Sequence, residues 1–377
     1  MVEKAGEPEG GTMPLAGVKI IEFSGLGPTP FGAMLLSDMG ADILRIERKG
    51  AVNPLGGDAR FDFIFRGRPS VAYDLKSASD MDVVRDLVAR ADVLIEGFRP
   101  GTMERLGLGP EVLLGANERL IYARMSGWGQ SGPLSQKAGH DINYLAQSGG
   151  LFPIGPFDGP PVPPLNLVGN FGGGGTFLAM GVMAALHERT RSGKGQVIDV
   201  AMIDGISVLM TQLAGWMQMG QWNAGRGGNL LDGSAYFYRC YQTSDDRHIA
   251  VGALEKPFHD EFLKGLGEDP ADYPDYLDPK HWGERTERLA RIIETQTMLQ
   301  WSEVFADRDA CVTPVLTLEE AANSETNEAR GSLIASDVSI QPRPAPRFGR
   351  SRSRTPNEMA TAELEHDAVT EWLKPSR

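Results

Sequence analysis

One histidine stands in a segment whose residue types could carry proton transfer. The segment Gly139-His140-Asp141-Ile142-Asn143-Tyr144 contains an imidazole, which can donate or accept a proton near neutral pH. A second segment, Asn166-Leu167-Val168-Gly169-Asn170, would place another polar side chain opposite the histidine, just before a helix begins. That side chain is the Asn170 amide, which has no ionisable oxygen. The pattern predicts an acid/base site with one base missing.

Removal of a proton from a carbon beside a carbonyl group defines what such a site needs. It needs a base on one face of the carbon, a proton donor on the other face if the centre is to invert, and hydrogen bonds to the enolate oxygen. His140 suits the first task, and Glu255, at the end of a predicted strand, is a candidate partner that would fix its tautomer. The competing interpretation is that His140 only caps a helix start and Glu255 is a solvated charge.

Several separate blocks of sequence carry a resemblance to a known family. They lie at 14–22, 40–47, 126–133, 139–144, 166–175 and 193–200. Between about Pro14 and Phe348 the chain resembles the family III CoA-transferase superfamily, and within it the α-methylacyl-CoA racemases. The resemblance implies an α/β fold, with a large Rossmann-like parallel-sheet domain and a smaller α+β domain. It also implies an interlocked homodimer and an acyl-CoA substrate, with no metal and no redox cofactor.

The resemblance further implies roles for single residues. In the racemases the position of Asn170 holds an aspartate that serves as the second base, hydrogen-bonded to an asparagine that corresponds to Asn166. In the CoA-transferases the same aspartate is the nucleophile, and an amide performs neither task. The backbone N–H of Asp141 is implied to face the thioester oxygen, and Glu255 to be the partner of His140. The transferase interpretation thus loses its central residue, whereas the racemase interpretation loses one of two bases.

Binding of CoA requires cations as well. Because CoA carries a 3′-phosphate and a pyrophosphate, its site needs two or three cations near strand ends of the sheet domain. The cations that follow predicted strands or begin the next helix are Arg48, Lys76, Arg99 and Arg105. The resemblance points to the same residues, although each taken singly is more often a solvated surface charge. The adenine and pantetheine path is expected along Leu26, Ala72 and Leu75. Tyr238, which alone would indicate core packing, matches an active-site tyrosine of the family.

Three functions remain open at this point. The leading hypothesis is a racemase that interconverts (2R)- and (2S)-2-methylacyl-CoA through an enolate and is impaired by Asn170. The second is a family III CoA-transferase that moves CoA between carboxylic acids. The third is a non-catalytic acyl-CoA-binding protein. The size of the acyl chain is not indicated by the residues.

Length and composition limit the class of protein and its partners. The length of 377 residues and the apolar fraction of 41% predict two domains with buried cores. A net charge of -13 without a concentrated basic patch argues against a nucleic-acid partner. Cys240 and Cys311 are too far apart in sequence to indicate a zinc site or a disulfide framework. With no apolar signal core and no apolar run long enough for a bilayer, we expect a cytoplasmic protein without a membrane partner.

Apolar periodicity predicts the elements that position the site. Short apolar runs at 18–23, 43–47, 71–75, 93–96 and 120–125 alternate with helical or glycine-rich segments, which predicts a parallel sheet. A dinucleotide motif at Gly25-x-Gly27 fails, because no glycine follows three residues later. Further elements are predicted as a strand at 196–200, a hairpin at 236–243 and 248–252, and helices at 78–91, 177–189, 203–222, 257–265, 285–295, 299–306, 318–324 and 363–373. We expect a discontinuous large domain at 1–190 and 332–377, and a small domain at 191–331.

Overall fold

Two compact units make up the chain. The computed structural model describes residues 11–50, 56, 58–223, 225–336, 338–355 and 367–374. The first unit comprises Met1–Ser148, Pro164–Leu209 and Ala322–Arg377, and the second comprises Gly149–Pro163 and Met210–Ala321.

A six-stranded parallel sheet forms the centre of the first unit. Its strands are β1 (Lys19–Phe23), β2 (Asp42–Arg48), β3 (Ser70–Tyr73), β4 (Val93–Glu96), β5 (Ile121–Ser126) and β6 (Val197–Ala201). Their order is β3-β2-β1-β4-β5-β6, and each neighbouring pair is parallel. Consecutive residues of β4 are buried, as expected for a sheet covered on both faces. The order reverses between β1 and β4, and this reversal opens a crevice at the carboxyl ends of the strands.

Helices connect these strands in the alternation that the sequence predicts. The helices are α1 (Pro28–Asp38), α2 (Ala78–Ala89), α3 (Thr102–Arg105), α4 (Pro110–Ala116), α5 (Asp141–Ser148), α6 (Thr176–Ser192) and α7 (Met202–Leu209). The π-helical segment Leu167–Gly175 runs directly into α6. Helix α2 begins where Ser77 accepts the Asp80 N–H, a standard N-cap. Its buried face is Met81, Val84, Leu87 and Val88, an apolar stripe at helical spacing.

The second unit has its own aromatic core. Its helices and strands are α8 (Thr211–Gln218), β7 (Tyr238–Gln242), β8 (His248–Gly252), α9 (Lys256–Gly265), α10 (Trp282–Ile293), α11 (Met298–Phe305), β9 (Val312–Pro314) and α12 (Leu318–Ala322). The strands form an antiparallel sheet in the order β7-β8-β9. Large side chains such as Tyr236, Phe237 and Trp301 are buried against it. A parallel α/β sheet with a smaller antiparallel sheet confirms the predicted fold class.

The chain then returns to the first unit. The remaining elements are α13 (Glu325–Arg330), β10 (Leu333–Ala335), β11 (Ile340–Pro342) and α14 (Ala368–Leu373). Single 3₁₀ turns lie at Ala59–Phe61, Phe63–Phe65, Pro270–Asp272 and Pro279–His281. Strands β10 and β11 form an antiparallel pair. The terminal helix predicted at 363–373 starts, within the described residues, at Ala368 and packs its Trp372 into the core of the first unit.

The predicted small-domain boundaries, 191–331, differ from the second unit. Strand β6 pairs with β5, and α7 packs against the π-helical segment, so the residues up to Leu209 belong to the first unit. Gly149–Pro163 joins the second unit instead. There the Arg226 guanidinium donates to the carbonyls of Phe152 and Pro156 at 3.1 and 2.9 Å. The predicted helix at 203–222 is correspondingly divided into α7 and α8.

One helical run satisfies a simple criterion for a membrane span. Leu167–Ser192 is long and apolar enough by length and composition. A core helix of a globular protein meets the same criterion, and α6 packs against α1 and β5. The expectation that the protein has no membrane partner stays a prediction.

A buried ion pair ties β1 to α1. Arg68 Nη1 lies 3.0 Å from Glu22 Oε2, and both side chains are fully buried. The same nitrogen donates to the Pro30 carbonyl at 2.9 Å. Burial raises the pKa of Glu22 and lowers that of Arg68 to about 10. The pair fixes the first turn of α1, which starts at the crevice.

We expect Arg68→Met to destabilise the protein by about 3–5 kcal/mol, because it leaves the Glu22 carboxylate buried without its partner. Urea unfolding followed by circular dichroism would measure the loss. Arg85→Met is the control, since its pair with Asp82 is exposed and should contribute under about 1 kcal/mol. A loss for Arg68→Met no larger than that of the control would contradict the structural role of the pair.

Candidate active site

His140 lies immediately before α5, with an exposed side chain. Its backbone N–H donates to Asn143 Oδ1 at 3.0 Å, and the Asn143 N–H donates to the His140 carbonyl at 2.8 Å. The first turn of α5 is thus closed by backbone groups and by Asn143, in the manner of half a capping box. Within the described part of the chain no side chain bonds to the His140 ring. The imidazole is therefore not the helix cap and remains available to a ligand.

The Asp141 carboxylate joins α5 to the π-helical segment. Its Oδ2 accepts the Asn170 N–H at 2.5 Å, and the Gly169 N–H also bonds to this carboxylate. A Cβ on Gly169 would lie 2.4 Å from Oδ2, so the fit requires glycine. Burial raises the pKa of Asp141, although these two N–H groups act in the opposite direction. The backbone at Asn170 is held in place by this contact.

Asn170 lies inside a helical run rather than ahead of one. The sequence places it just before a helix, whereas the structure places it in the first turn of Leu167–Ser192. Its Nδ2 is 2.9 Å from the position that a Cβ would take on Gly27, so the amide faces the loop between β1 and α1. Asn166 is the N-cap residue and makes no side-chain capping bond. Its implied hydrogen bond to the side chain of residue 170 stays a prediction.

Four consecutive glycines at 172–175, the glycine block, serve close packing. A Cβ on Gly173 would meet the Ile206 backbone nitrogen at 2.9 Å, and one on Gly175 would meet the Pro28 carbonyl at 2.8 Å. Helices α1 and α7 therefore approach the π-helical segment backbone to backbone. Single turns of π-helix often occur at functional sites. Helix packing accounts for these glycines.

Two of the expected CoA residues follow the strands on either side of the reversal in strand order. Leu26 follows β1 with 58% of its surface exposed, and Arg99 follows β4. Thr29 contacts the sites of a Cβ on Gly25 and on Gly97, so the two loops meet at the point where the strand order reverses. Ligands bind at this position in open α/β sheets.

The four cations are all exposed at this side of the sheet. Arg48 ends β2, Lys76 lies between β3 and α2, Arg99 follows β4, and Arg105 ends the short helix α3. In the part of the chain that the structure describes, none of them pairs with a carboxylate. Ala72 and Leu75 are partly buried, and Leu75 packs against the core. The side chains are thus available for phosphate, and their CoA contacts stay predictions.

Two aromatic residues without a predicted role pack together at the start of α5. The rings of Trp128 and Tyr144 meet edge to face, with centroids 4.7 Å apart, and the Tyr144 hydroxyl donates to the Gly139 carbonyl at 2.5 Å. Burial raises the pKa of Tyr144, while the positive charge of Arg99 lowers it. Arg99 therefore lies within electrostatic reach of α5, the helix that directly follows His140. Both aromatic residues lie in sequence blocks that carry the family resemblance. Their place in these blocks is the sequence signal that could have indicated them.

Tyr238 and Glu255 belong to the second unit. Tyr238 opens β7, is partly buried, and lines a cleft of about 510 Å³ together with Cys240, Gly252 and Cys311. Glu255 is the N-cap residue of α9, a few residues after β8. Burial raises the pKa of Cys311, and the charge of Glu255 adds to this effect, so Glu255 lies near the cleft. The partnership of Glu255 with His140 stays a prediction. Among the described residues no group of side chains has the composition of a metal site.

Comparison with known proteins identifies the family. Residues 15–363 match CoA-transferase family III. The chain belongs to this family. The α-methylacyl-CoA racemase of Mus musculus is 46% identical over 340 residues, which cover 90% of this chain and 87% of that protein. The human enzyme of the same name is 45% identical, with coverage of 89% and 86%.

Solved structures agree on the fold of this family III member. A CaiB/BaiF family protein from Brucella suis superimposes with a TM-score of 0.79 at 24% identity, and covers 96% of this chain and 98% of that one. At this identity the likeness supports the fold alone. The family resemblance and the assignment to an enzyme family are confirmed.

Proposed function

We propose that this family III member is an α-methylacyl-CoA racemase, which interconverts (2R)- and (2S)-2-methylacyl-CoA. The observation that carries the proposal is its 46% and 45% identity to two proteins of that name over most of the chain. The site geometry is compatible with the chemistry. We also propose that the substrate is bound without a metal or redox cofactor, by a cytoplasmic homodimer.

The reaction is a proton transfer through an enolate. His140 takes the α-proton, and the C2–H electron pair moves onto the thioester oxygen. The Asp141 N–H, at the positive end of α5, supports the developing negative charge. Protonation of C2 from the other face inverts the centre, and protonation from His140 restores it. Glu255 would orient the imidazole, and Asn166 and Tyr238 would contact the reacting end of the substrate.

Asn170 makes the two faces of C2 unequal in their capacity for proton transfer. Its amide cannot take or give the proton that a carboxylate at this position would. Exchange on the His140 face should therefore be faster than inversion. The size of the acyl group is left open by this account.

A transfer assay separates the proposal from CoA transfer. The chain would be incubated with 2-methylacyl-CoA in heavy water with an acceptor carboxylate, and in a separate sample the protein would be treated with hydroxylamine after addition of the thioester. The proposal predicts deuterium at C2, no CoA on the acceptor, and no hydroxamate on the protein, because Asn170 cannot form an anhydride. Transfer of CoA without C2 exchange would establish the transferase instead.

Removal of a phosphate-binding cation should weaken substrate binding. We expect Arg99→Ala to raise KM about 10–100-fold with a smaller change in kcat, because a charge-assisted hydrogen bond contributes about 1.5–3 kcal/mol. Initial rates over a range of substrate concentration would measure this effect. Lys194→Ala, an exposed lysine between α6 and β6, is the control. Equal KM values for Arg99→Ala and the control would exclude Arg99 from the CoA site.

A further inference from the structure

We propose that the Asp141 carboxyl group is the acid/base on the face of C2 that Asn170 leaves without one. This inference rests on the proposed function and names a residue that completes it. A carboxylate at position 170 is not needed for slow inversion if another carboxyl group lies next to the same backbone. Asp141 meets that condition, since its Oδ2 lies 2.5 Å from the Asn170 nitrogen.

The second carboxylate oxygen has no structural use. Asp141 Oδ1 is buried and has no hydrogen-bond partner among the described residues. A buried polar oxygen that has lost water without gaining a partner costs free energy, and such groups often have a functional reason. The residue is only 7% exposed. Burial also raises the pKa of Asp141, which favours the protonated form that a proton donor requires.

The placement separates this group from His140. His140 lies outside α5 with an exposed side chain, whereas Asp141 is the first residue of α5 and is buried, so the two side chains diverge at the start of the helix. His140 is exposed, whereas Asp141 is directed to Gly169 and Asn170. The Asp141 N–H, which faces the thioester oxygen in the proposed mechanism, belongs to the same residue. Two divergent side chains around one oxyanion donor are the arrangement that proton transfer on two faces needs.

A purely structural role for this carboxylate is the competing explanation. It accepts N–H groups from the first turn of the helical run Leu167–Ser192, and a negative charge there is stabilising. An asparagine side chain retains an oxygen for the same N–H groups but cannot transfer a proton. The two roles are therefore separable by one isosteric substitution.

The proposed step is balanced. His140 removes the α-proton of one epimer, and the C2–H electron pair becomes the enolate. The protonated Asp141 carboxyl then gives its proton to C2 from the other face, which forms the new C2–H bond and leaves a carboxylate. The imidazolium loses its proton to water, and the Asp141 carboxylate takes one up, so no oxidant or further reactant is consumed.

The test is Asp141→Asn, with each pure epimer in heavy water. We expect inversion to fall by about 10²-fold or more, the usual contribution of a general acid/base. Deuterium uptake by the epimer that faces His140 should change only a few-fold. Asp86→Asn, an exposed position on α2, is the control, and urea unfolding should show that both variants are folded.

A double variant provides a second test of the proposal. Asn170→Asp combined with Asp141→Asn moves the carboxyl group to the neighbouring position and should restore inversion. Inversion that is unchanged in Asp141→Asn would overturn the proposal, as would a wild-type chain that exchanges deuterium without inverting. A proportionate loss of exchange and inversion would overturn it in favour of the structural role. Wild-type chain that exchanges neither epimer would instead refute the racemase proposal itself.

Discussion

Asn170→Asp is expected to raise the rate of epimerisation by about 10²–10⁴-fold, the usual range for a positioned acid/base. The substitution keeps the size of the side chain and adds an ionisable oxygen beside Gly27, where the Asn170 amide now lies. The new carboxyl group also comes next to Asp141. Because two neighbouring carboxyl groups do not ionise independently, the pKa of one of them should be raised, and that group should serve as a proton donor. Chiral separation of the two epimers over time would measure the gain.

Asn170→Ser is the matched control, because it changes the same position without adding an acid. It should not gain activity. An unchanged rate for Asn170→Asp, in a variant with the unfolding midpoint of the wild type, would contradict the assignment of two bases to this site.

His140→Gln is expected to lower deuterium uptake at C2 by about 10²–10⁴-fold. The loss should appear in kcat rather than KM, because the imidazole acts on the reacting atom and the CoA contacts are unaffected. The fold should be retained, since the first turn of α5 is closed through the backbone of residue 140 and the Asn143 side chain. Mass spectrometry of the recovered thioester gives the rate.

His187→Gln is the control for that experiment, since His187 is an exposed histidine on α6. Its exchange rate should equal that of the wild type. If His140→Gln exchanged as fast as this control, His140 would be excluded as the base, and another residue would have to be sought.

The strands and most helices of the first unit could be predicted from apolar periodicity. Buried strands such as β4 are short continuous apolar runs, and their predicted bounds agree with the structure. The break between α7 and α8 could not be predicted. Apolar residues continue through Met210 without proline, while the two helices belong to different units. Only tertiary contacts decide where such a run divides.

The glycine block shows a second limit. Each glycine disfavours a helix by about 1 kcal/mol relative to alanine, so the sequence indicates a loop ahead of residue 177. The structure is helical from Leu167, because α1 and α7 pack directly on the backbone there. Close packing outweighs propensity at this place. As a result, Asn170 lies in the first turn of the run and within reach of Asp141.

The residue types of the site were evident, but its contacts were not. His140 and Asn170 stand out through their motifs, and the cations through their positions after strands. The bond from the Asn170 N–H to Asp141 spans 29 positions of sequence, and no local pattern specifies it. The same holds for the packing of Trp128 against Tyr144.

The central claim is that this chain forms an enolate of its substrate at His140. The most direct test is to incubate pure (2R)- and pure (2S)-2-methylacyl-CoA separately with the wild-type protein in heavy water. Deuterium at C2 would be followed by mass spectrometry and the epimer ratio by chiral separation. We predict rapid deuterium uptake by one epimer, with much slower inversion. Absence of deuterium from both epimers, with the protein folded and CoA bound, would contradict the account.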